Sequence, residues 1–262
     1  MMSRAIRVLA AATAAGGLAL SGLITAGAAS ATVNGPGTHG PGSRYFAPGT
    51  GFHAAARAAT PANSRYFAGY QASVPAGSAT VLTSSFTVPA LSCTTVDQAM
   101  APSTGVPVNN YSTFSAAFVL TACLNGAAVY YPQLIVNGTV TDYASTTFSA
   151  GDVIDLTTKV STNRTRVQVT DVTTGVTQKI IGPGASASAA FVFDEPEFNS
   201  GTLMHVPSFG KLTFKNSLLD GKSLASWRPA AYQRVNSVGT LQIAAGGFWP
   251  GGTAFTTHYE HS

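Results

Sequence analysis

The feature that most constrains this chain is the near absence of helical periodicity after Ser64. From there to the C-terminus, apolar residues alternate with a period of two or form short β-branched runs, separated by Gly, Pro, Asn and Ser. With no helices between the strands, the sequence predicts an all-β fold, a sandwich of two antiparallel sheets. The clearest predicted strands are Ala79–Val88, Thr113–Thr121, Ala127–Val136, Asp152–Val160, Arg164–Val172, Val176–Ile181, Ala189–Glu195, Lys211–Phe214, Leu241–Ala244 and Ala254–Tyr259.

Two segments precede this β-rich region. Residues 1–31 combine Arg4 and Arg7, an Ala/Leu-rich apolar run and a small-residue cleavage site, which predicts a secretory signal peptide, with a membrane anchor as the alternative. Residues 32–62 are rich in Gly, Pro, Ala, Ser and Thr with few aliphatic side chains, which predicts a disordered linker or short pro-segment. We therefore expect an extracellular domain at residues 63–262, with no membrane contact after signal cleavage.

A short sequence occurs twice near the start of the domain. Ser43-Arg44-Tyr45-Phe46-Ala47 recurs as Ser64-Arg65-Tyr66-Phe67-Ala68. Five residues are too few to indicate a structural repeat. Either the first copy occupies the position of the second before processing, or the recurrence is a coincidence in a low-complexity segment.

The charge pattern excludes one class of partner. The chain has 14 Lys and Arg against 10 Asp and Glu, and the basic residues are scattered singly. A nucleic-acid site needs a basic stripe or stacking aromatic residues, and neither is present in the sequence. We expect a monomer without cofactor, whose ligand is a peptide, a protein or a glycan that the sequence does not identify.

The two cysteines, Cys93 and Cys123, are predicted to form a structural disulfide, as cysteines of exported proteins usually do. A loop of this length is stabilised by roughly 3 to 4 kcal/mol when it is closed by a disulfide. A reactive thiol is the alternative. No histidine lies near either cysteine in the sequence, so we predict no metal site.

Several segments resemble one known family in the same order. Asn63–Tyr70 is similar to the family's opening Ser-x-Asn-Trp-Ala-Gly-Tyr, and Gly151–Ile154 to its Gly-Asp-x-Ile. Thr173-Thr174-Gly175 matches a hairpin turn, Ala189–Pro196 resembles Ala-Glu-Trp-Ile-Val-Glu-x-Pro, and Phe209–Phe214 resembles Phe-Gly-x-Val-x-Phe. These segments resemble the eqolisins, or glutamic peptidases of the aspergillopepsin II-like A4 family. The resemblance implies a lectin-like (concanavalin A-like) sandwich.

The resemblance also implies a catalytic pair, a glutamate that activates water and a glutamine that stabilises the oxyanion. Counting back from Cys123 places the glutamine on or beside Ala116, and counting back from Pro196 places the glutamate on Ala190. An alanine methyl group performs neither role. The sequence therefore predicts a catalytically degenerate member of the family.

Three polar side chains are weak substitutes for the missing pair. Asp194 and Glu195 belong with Glu197 to an acidic cluster, for which a solvated surface patch is the favoured interpretation. Alternation predicts that Asp194 faces away from Glu195. Gln133 is a candidate oxyanion donor, with an outward-facing strand residue as the simpler interpretation.

Aromatic residues supply the remaining candidates. Tyr130, Tyr131 and Phe191 are candidate binding residues, although core packing is the commoner use of such side chains. The first functional hypothesis is a secreted, non-catalytic pseudopeptidase that binds a peptide, a protein or a cell-wall component. The alternatives are an active acid endopeptidase with relocated catalytic residues and a carbohydrate-binding module with a band of exposed aromatic residues.

Overall fold

A computed structural model describes residues 60–196, 198–199 and 202–261. In this part of the chain the fold is almost entirely β, and the one helical turn is a 3-10 helix at Leu224–Trp227. The strands are β1 (Ala62–Ser64), β2 (Ala68–Ser73), β3 (Thr80–Thr87), β4 (Gln98–Val108), β5 (Thr113–Leu124), β6 (Ala127–Val136), β7 (Thr139–Asp142), β8 (Val153–Val160), β9 (Arg164–Asp171), β10 (Thr177–Pro183), β11 (Ala189–Pro196), β12 (Phe198–Asn199), β13 (Thr202–Leu203), β14 (Lys211–Leu219), β15 (Lys222–Ser223), β16 (Ala230–Val235), β17 (Leu241–Ala245) and β18 (Phe255–Tyr259).

The large sheet runs in the order β10-β9-β8-β3-β14-β18-β17-β16-β2-β11-β4-β5-β6-β7. Its pairs along this path are antiparallel. The sheet folds back on itself, so that β8, β9 and β10 pack across β4, β5 and β6. The result is a two-layer antiparallel sandwich, which confirms the predicted fold class.

Each strand of the layer β16-β2-β11-β4-β5-β6 has two faces. The inner face points toward the other layer and contributes to the main core, which includes Val106, Val119, Leu156 and Phe214. The outer face carries a second cluster, and all its buried members come from this layer or from the residue before β2. We call it the outer aromatic cluster; it consists of Phe67, Ala101, Phe114, Ala116, Phe118, Ile135, Ala189, Phe191, Phe193 and Tyr232.

The ten predicted strands all occur, with ends that differ by a few residues. The largest omission is β4, the strand between β11 and β5, which contains Pro102, Gly105 and Pro107. Proline and glycine disfavour strands in a sequence pattern, yet all of β4 is buried. We had aligned Ser103 and Pro107 with a loop of the related family, and this assignment is wrong because both lie in β4.

Three further observations bear on the sequence predictions. Cys93 and Cys123 form a disulfide. Gly175 has φ +78° and its N–H donates to the carbonyl of Asp171, as the predicted hairpin turn requires. Among the described residues, no helix is both long and apolar enough to cross a membrane.

Candidate functional site

The strand register brings Ala116 next to two other residues on the outer face. Gly105 of β4 pairs with Ala116 of β5 on one side and with Phe191 of β11 on the other. A Cβ atom at Gly105 would lie 3.3 Å from the Phe193 ring and 3.6 Å from the Ala116 Cβ. A methyl group, a glycine and two phenyl rings therefore occupy this part of the face, and none of these groups can carry a proton.

Ala190 lies on the opposite face from Ala116. It packs in the main core, whereas Ala116 belongs to the outer aromatic cluster. Alternation along β11 places Ala189, Phe191 and Phe193 on the outer face instead. The two positions that the sequence alignment paired thus do not face a common groove, and the residue in register with Ala116 on β11 is Phe191.

Aromatic rings fill the middle of the outer face. The Phe67 ring centroid lies 5.6 Å from that of Phe191, 5.4 Å from that of Phe193 and 4.8 Å from that of Tyr232. Phe118 makes edge-to-face contacts with Phe114 and Phe193. Edge-to-face pairs at these distances are favourable beyond their burial. The face is therefore an apolar, aromatic surface that suits rings and aliphatic side chains.

An amide and a carboxylate lie together at one border of this face. Gln133 of β6 pairs with Phe118 of β5 and with Asp142 of β7. The Gln133 Nε2 donates a 2.7 Å hydrogen bond to Asp142 Oδ1. Burial raises the pKa of Asp142, and the hydrogen bond from Gln133 opposes this rise. Gln133 is buried, so the interpretation as a solvated outward residue is wrong.

Gln71 of β2 provides a second amide on the outer face. It pairs with Phe191 on β11, and its Nε2 donates to the hydroxyl of Tyr111 at 3.4 Å. Its Oε1, like that of Gln133, is buried and has no hydrogen-bond partner among the described residues. Two buried acceptors on one face are poised to receive N–H groups from whatever covers it.

The sequence analysis missed Gln71 and Asp142. A signal for Asp142 was present, because Asn137-Gly138 joins β6 to β7 with φ values of 49° and 84°. A two-residue Asn-Gly turn fixes the register of its hairpin, and that register places Asp142 opposite Gln133. Gln71 carries no such signal, since its facing depends on the pairing of β2 with β11.

Asp194 and Glu195 point to opposite faces of β11, as alternation predicted, but both are buried. A solvated patch is therefore the wrong interpretation for these two residues; the side chain of Glu197 lies outside the described residues. The Thr257 hydroxyl donates to Asp194 Oδ2, while Oδ1 has no hydrogen-bond partner among the described residues. Desolvation by burial raises the Asp194 pKa to about 7, against the lowering effect of the Thr257 hydrogen bond. Glu195 pairs with Ala101 of the outer aromatic cluster.

The three aromatic binding candidates are not brought together. Tyr130 lies in the main core, and its hydroxyl donates to the carbonyl of Pro89 at 3.0 Å. Tyr131 packs against a small third cluster beside Leu120, and Phe191 lies in the outer aromatic cluster. Alternation explains the separation of the two tyrosines, because adjacent strand residues point to opposite faces.

Comparisons with solved structures agree on the fold. Scytalido-glutamic peptidase with a transition-state analogue inhibitor superposes with a TM-score of 0.62 at 15% identity, covering 75% of this chain and 99% of that chain. A member of the eqolisin family in complex with the tripeptide Ala-Ile-His gives 0.58 at 15% identity, with the same coverage. Aspergilloglutamic peptidase from Aspergillus niger gives 0.52 at 18% identity, covering 62% of this chain and 99% of that chain.

No curated protein matches the sequence. The model of the peptidase A4 family matches residues 65–243, from the residue before Tyr66 to the buried Ile243 of β17. This match includes the whole outer aromatic cluster and both layers of the sandwich. The chain therefore belongs to the peptidase A4 family.

Proposed function

We propose that this chain is an exported peptide-binding protein that does not hydrolyse its ligand by the glutamic mechanism. The observation that carries the proposal is the row Ala116, Gly105 and Phe191 across β5, β4 and β11. Activation of water needs a carboxylate, and oxyanion stabilisation needs a hydrogen-bond donor. This row supplies neither group.

The outer face favours an extended peptide as the ligand. Its rings offer apolar contact for side chains, and the buried oxygens of Gln71 and Gln133 accept hydrogen bonds from backbone N–H groups. From β2 to β6 the sheet spans four strand spacings, about 19 Å, which matches about six residues of extended chain. The Cys93–Cys123 disulfide supports export, because such bonds persist in oxidising compartments.

One observation favours a second function, acid endopeptidase activity. Gln133 and Asp142 form an amide–carboxylate pair on the outer face, at 2.7 Å. The direct hydrogen bond argues against this role, since the amide donor is already engaged by the carboxylate. A water molecule would have to separate the two groups before the amide could serve an oxyanion.

The carbohydrate-binding alternative requires a band of exposed aromatic residues. Phe191 and Tyr130 are buried, and Trp227 and Phe248 pack against the main core. Trp249, 49% exposed, is the only aromatic residue among the strongly exposed apolar side chains of the described residues. A single ring does not make the stacking platform that this alternative needs.

The test is an assay of the purified chain on a denatured protein substrate between about pH 2 and pH 7, the range where carboxylates titrate. We expect no cleavage products at any pH, together with retention of the unfolded substrate by the immobilised chain. Phe118→Ser should weaken retention because it removes a ring from the middle of the face. Cleavage that Asp142→Asn abolishes would establish the endopeptidase alternative, with Asp220→Asn, an exposed carboxyl elsewhere, as the control.

A further inference from the structure

We propose that the first Ser-Arg-Tyr-Phe-Ala copy, residues 43–47, occupies the outer aromatic cluster of its own chain and thereby regulates access to it. This inference rests on the proposed peptide-binding function and names the resident occupant of that site. It assigns a role to a sequence feature that the fold of the domain leaves unexplained.

The first step is that the outer aromatic cluster is buried by more than its own layer. Phe118 and Phe193 have 0% and 1% of their surface exposed. Yet the buried members of the cluster all come from one layer of the sandwich or from Phe67. A sheet face of this kind needs a covering segment to exclude water from its rings.

The second step is that the second copy shows how this sequence presents its rings. The Ser64 hydroxyl accepts hydrogen bonds from the N–H groups of Tyr66 at 3.1 Å and Phe67 at 3.3 Å. This local turn directs Phe67 into the outer aromatic cluster, and Tyr66 packs beside it. The first copy has the same residues in the same order, so the same turn would present Tyr45 and Phe46 as a pair.

The third step is charge and hydrogen-bond complementarity. Residues 32–59 contain Arg44 and Arg57 but no Asp or Glu. The outer face holds Asp142 at one border, and the unpaired oxygens of Gln71 and Gln133. A guanidinium group presents several N–H donors and no acceptor, which suits a face whose open positions are all acceptors.

The fourth step is reach. Ala62 and Tyr66 pack at the border of the outer aromatic cluster, so the preceding segment leaves the domain beside the site. The 14 residues between Ala47 and Ala62 span up to about 45 Å when extended. From β16 to β6 the face measures five strand spacings, about 24 Å. The tether is therefore long enough to place the first copy anywhere on the face.

The experiment measures access to the floor of the face in the full mature chain. Both native cysteines are bonded to each other, so Ala116→Cys introduces a single free thiol. We expect slow reaction with a thiol reagent when the segment is unchanged. Combined Tyr45→Ser and Phe46→Ser should accelerate the reaction about tenfold or more, because two aromatic side chains lose their burial.

The matched control is Phe52→Ser, which removes a ring from the same segment outside the copy. Equal acceleration by this control, or no acceleration by the paired substitution, would overturn the proposal. A synthetic peptide of residues 42–48 should restore protection to the paired variant, whereas the same peptide with both rings replaced by serine should not.

A second measurement avoids any change to the floor of the face. A photoreactive phenylalanine analogue at position 46 should form crosslinks within one chain to peptides from β4, β5 or β6. Crosslinks elsewhere, or only between chains, would contradict the intramolecular assignment. Neither experiment depends on catalysis, so cleavage of a substrate would refute the proposed function without deciding the occupant of the face.

Discussion

At the scale of the residue, Asp194 is the carboxyl group whose environment most departs from water. It has 0% of its surface exposed, and Thr257 supplies a hydroxyl donor to one of its oxygens. Burial penalises the ionised form, and the pKa rises from 3.8 to about 7. A carboxyl group in such a site is held neutral in acid, where its hydroxyl form costs much less to bury.

This shift predicts that stability falls as pH rises. Below pH 3.8 the Asp194 carboxyl is protonated in both states; from there to about pH 7 the unfolded chain is ionised and the folded chain is not. The folded state then binds more protons, so the free energy of unfolding decreases with pH until about pH 7. A difference of about three pKa units corresponds to roughly 4 kcal/mol.

Asp194→Asn replaces the neutral acid with a neutral amide of the same shape. We expect the variant to lose most of the decline in unfolding free energy between pH 4 and pH 8, and to be more stable than the unmodified chain at pH 8. Urea denaturation at several pH values measures this. Asp220→Asn, at an exposed carboxyl, should leave the decline in place; an unchanged decline in Asp194→Asn would refute the assignment.

At the scale of the element, the approach of β2 to β11 depends on Gly69. It pairs with Phe193 and has φ +146°, a conformation that residues with a side chain rarely adopt. A Cβ atom here would lie 2.3 Å from the Val192 carbonyl oxygen and 2.6 Å from the Phe193 Cα. These are backbone atoms of the neighbouring strand, so relief requires the strands to separate.

Gly69→Ala is therefore expected to destabilise the fold by about 3 kcal/mol or more, since strain and overpacking combine. Gly77→Ala is the matched control, because Gly77 also has positive φ, +74°, but no heavy atom lies within 4 Å of its added Cβ. It should cost about 1 kcal/mol. Denaturant midpoints compare the two, and similar losses would mean that the close approach of β2 and β11 is not tight.

At the scale of the whole molecule, the disulfide ties the connection between the layers to the outer-face sheet. Cys93 follows β3, which pairs with β8 and β14, whereas Cys123 lies on β5. The bond closes a loop with a sequence separation of 30 residues. It therefore restricts the unfolded chain across both layers of the sandwich.

Replacing both cysteines by serine should lower the free energy of unfolding by about 3 to 4 kcal/mol. Thermal unfolding with and without a reducing agent measures this loss, and the reduced unmodified chain should resemble the double variant. A small loss in both would indicate that the loop stays closed in the unfolded chain.

Local patterns carried much of the architecture at this scale. Alternation alone located strands such as β6 and β8, because one face of each is buried and the other is not or is less so. It did not locate β4, whose two faces are both buried and whose prolines obscure the pattern. A strand enclosed on both sides has no polar face to reveal its period.

The sequence by itself determined the class of fold, the disulfide partners, the family resemblance and the opposite facing of Asp194 and Glu195. These follow from local alternation and from short motifs along one strand. Only the tertiary structure decided that Ala190 faces the core while Phe191 stands level with Ala116, and that Gln133 meets Asp142 on a buried face. Those facts depend on the register between strands distant in sequence, which hydrogen bonding across the sheet sets and no single segment encodes.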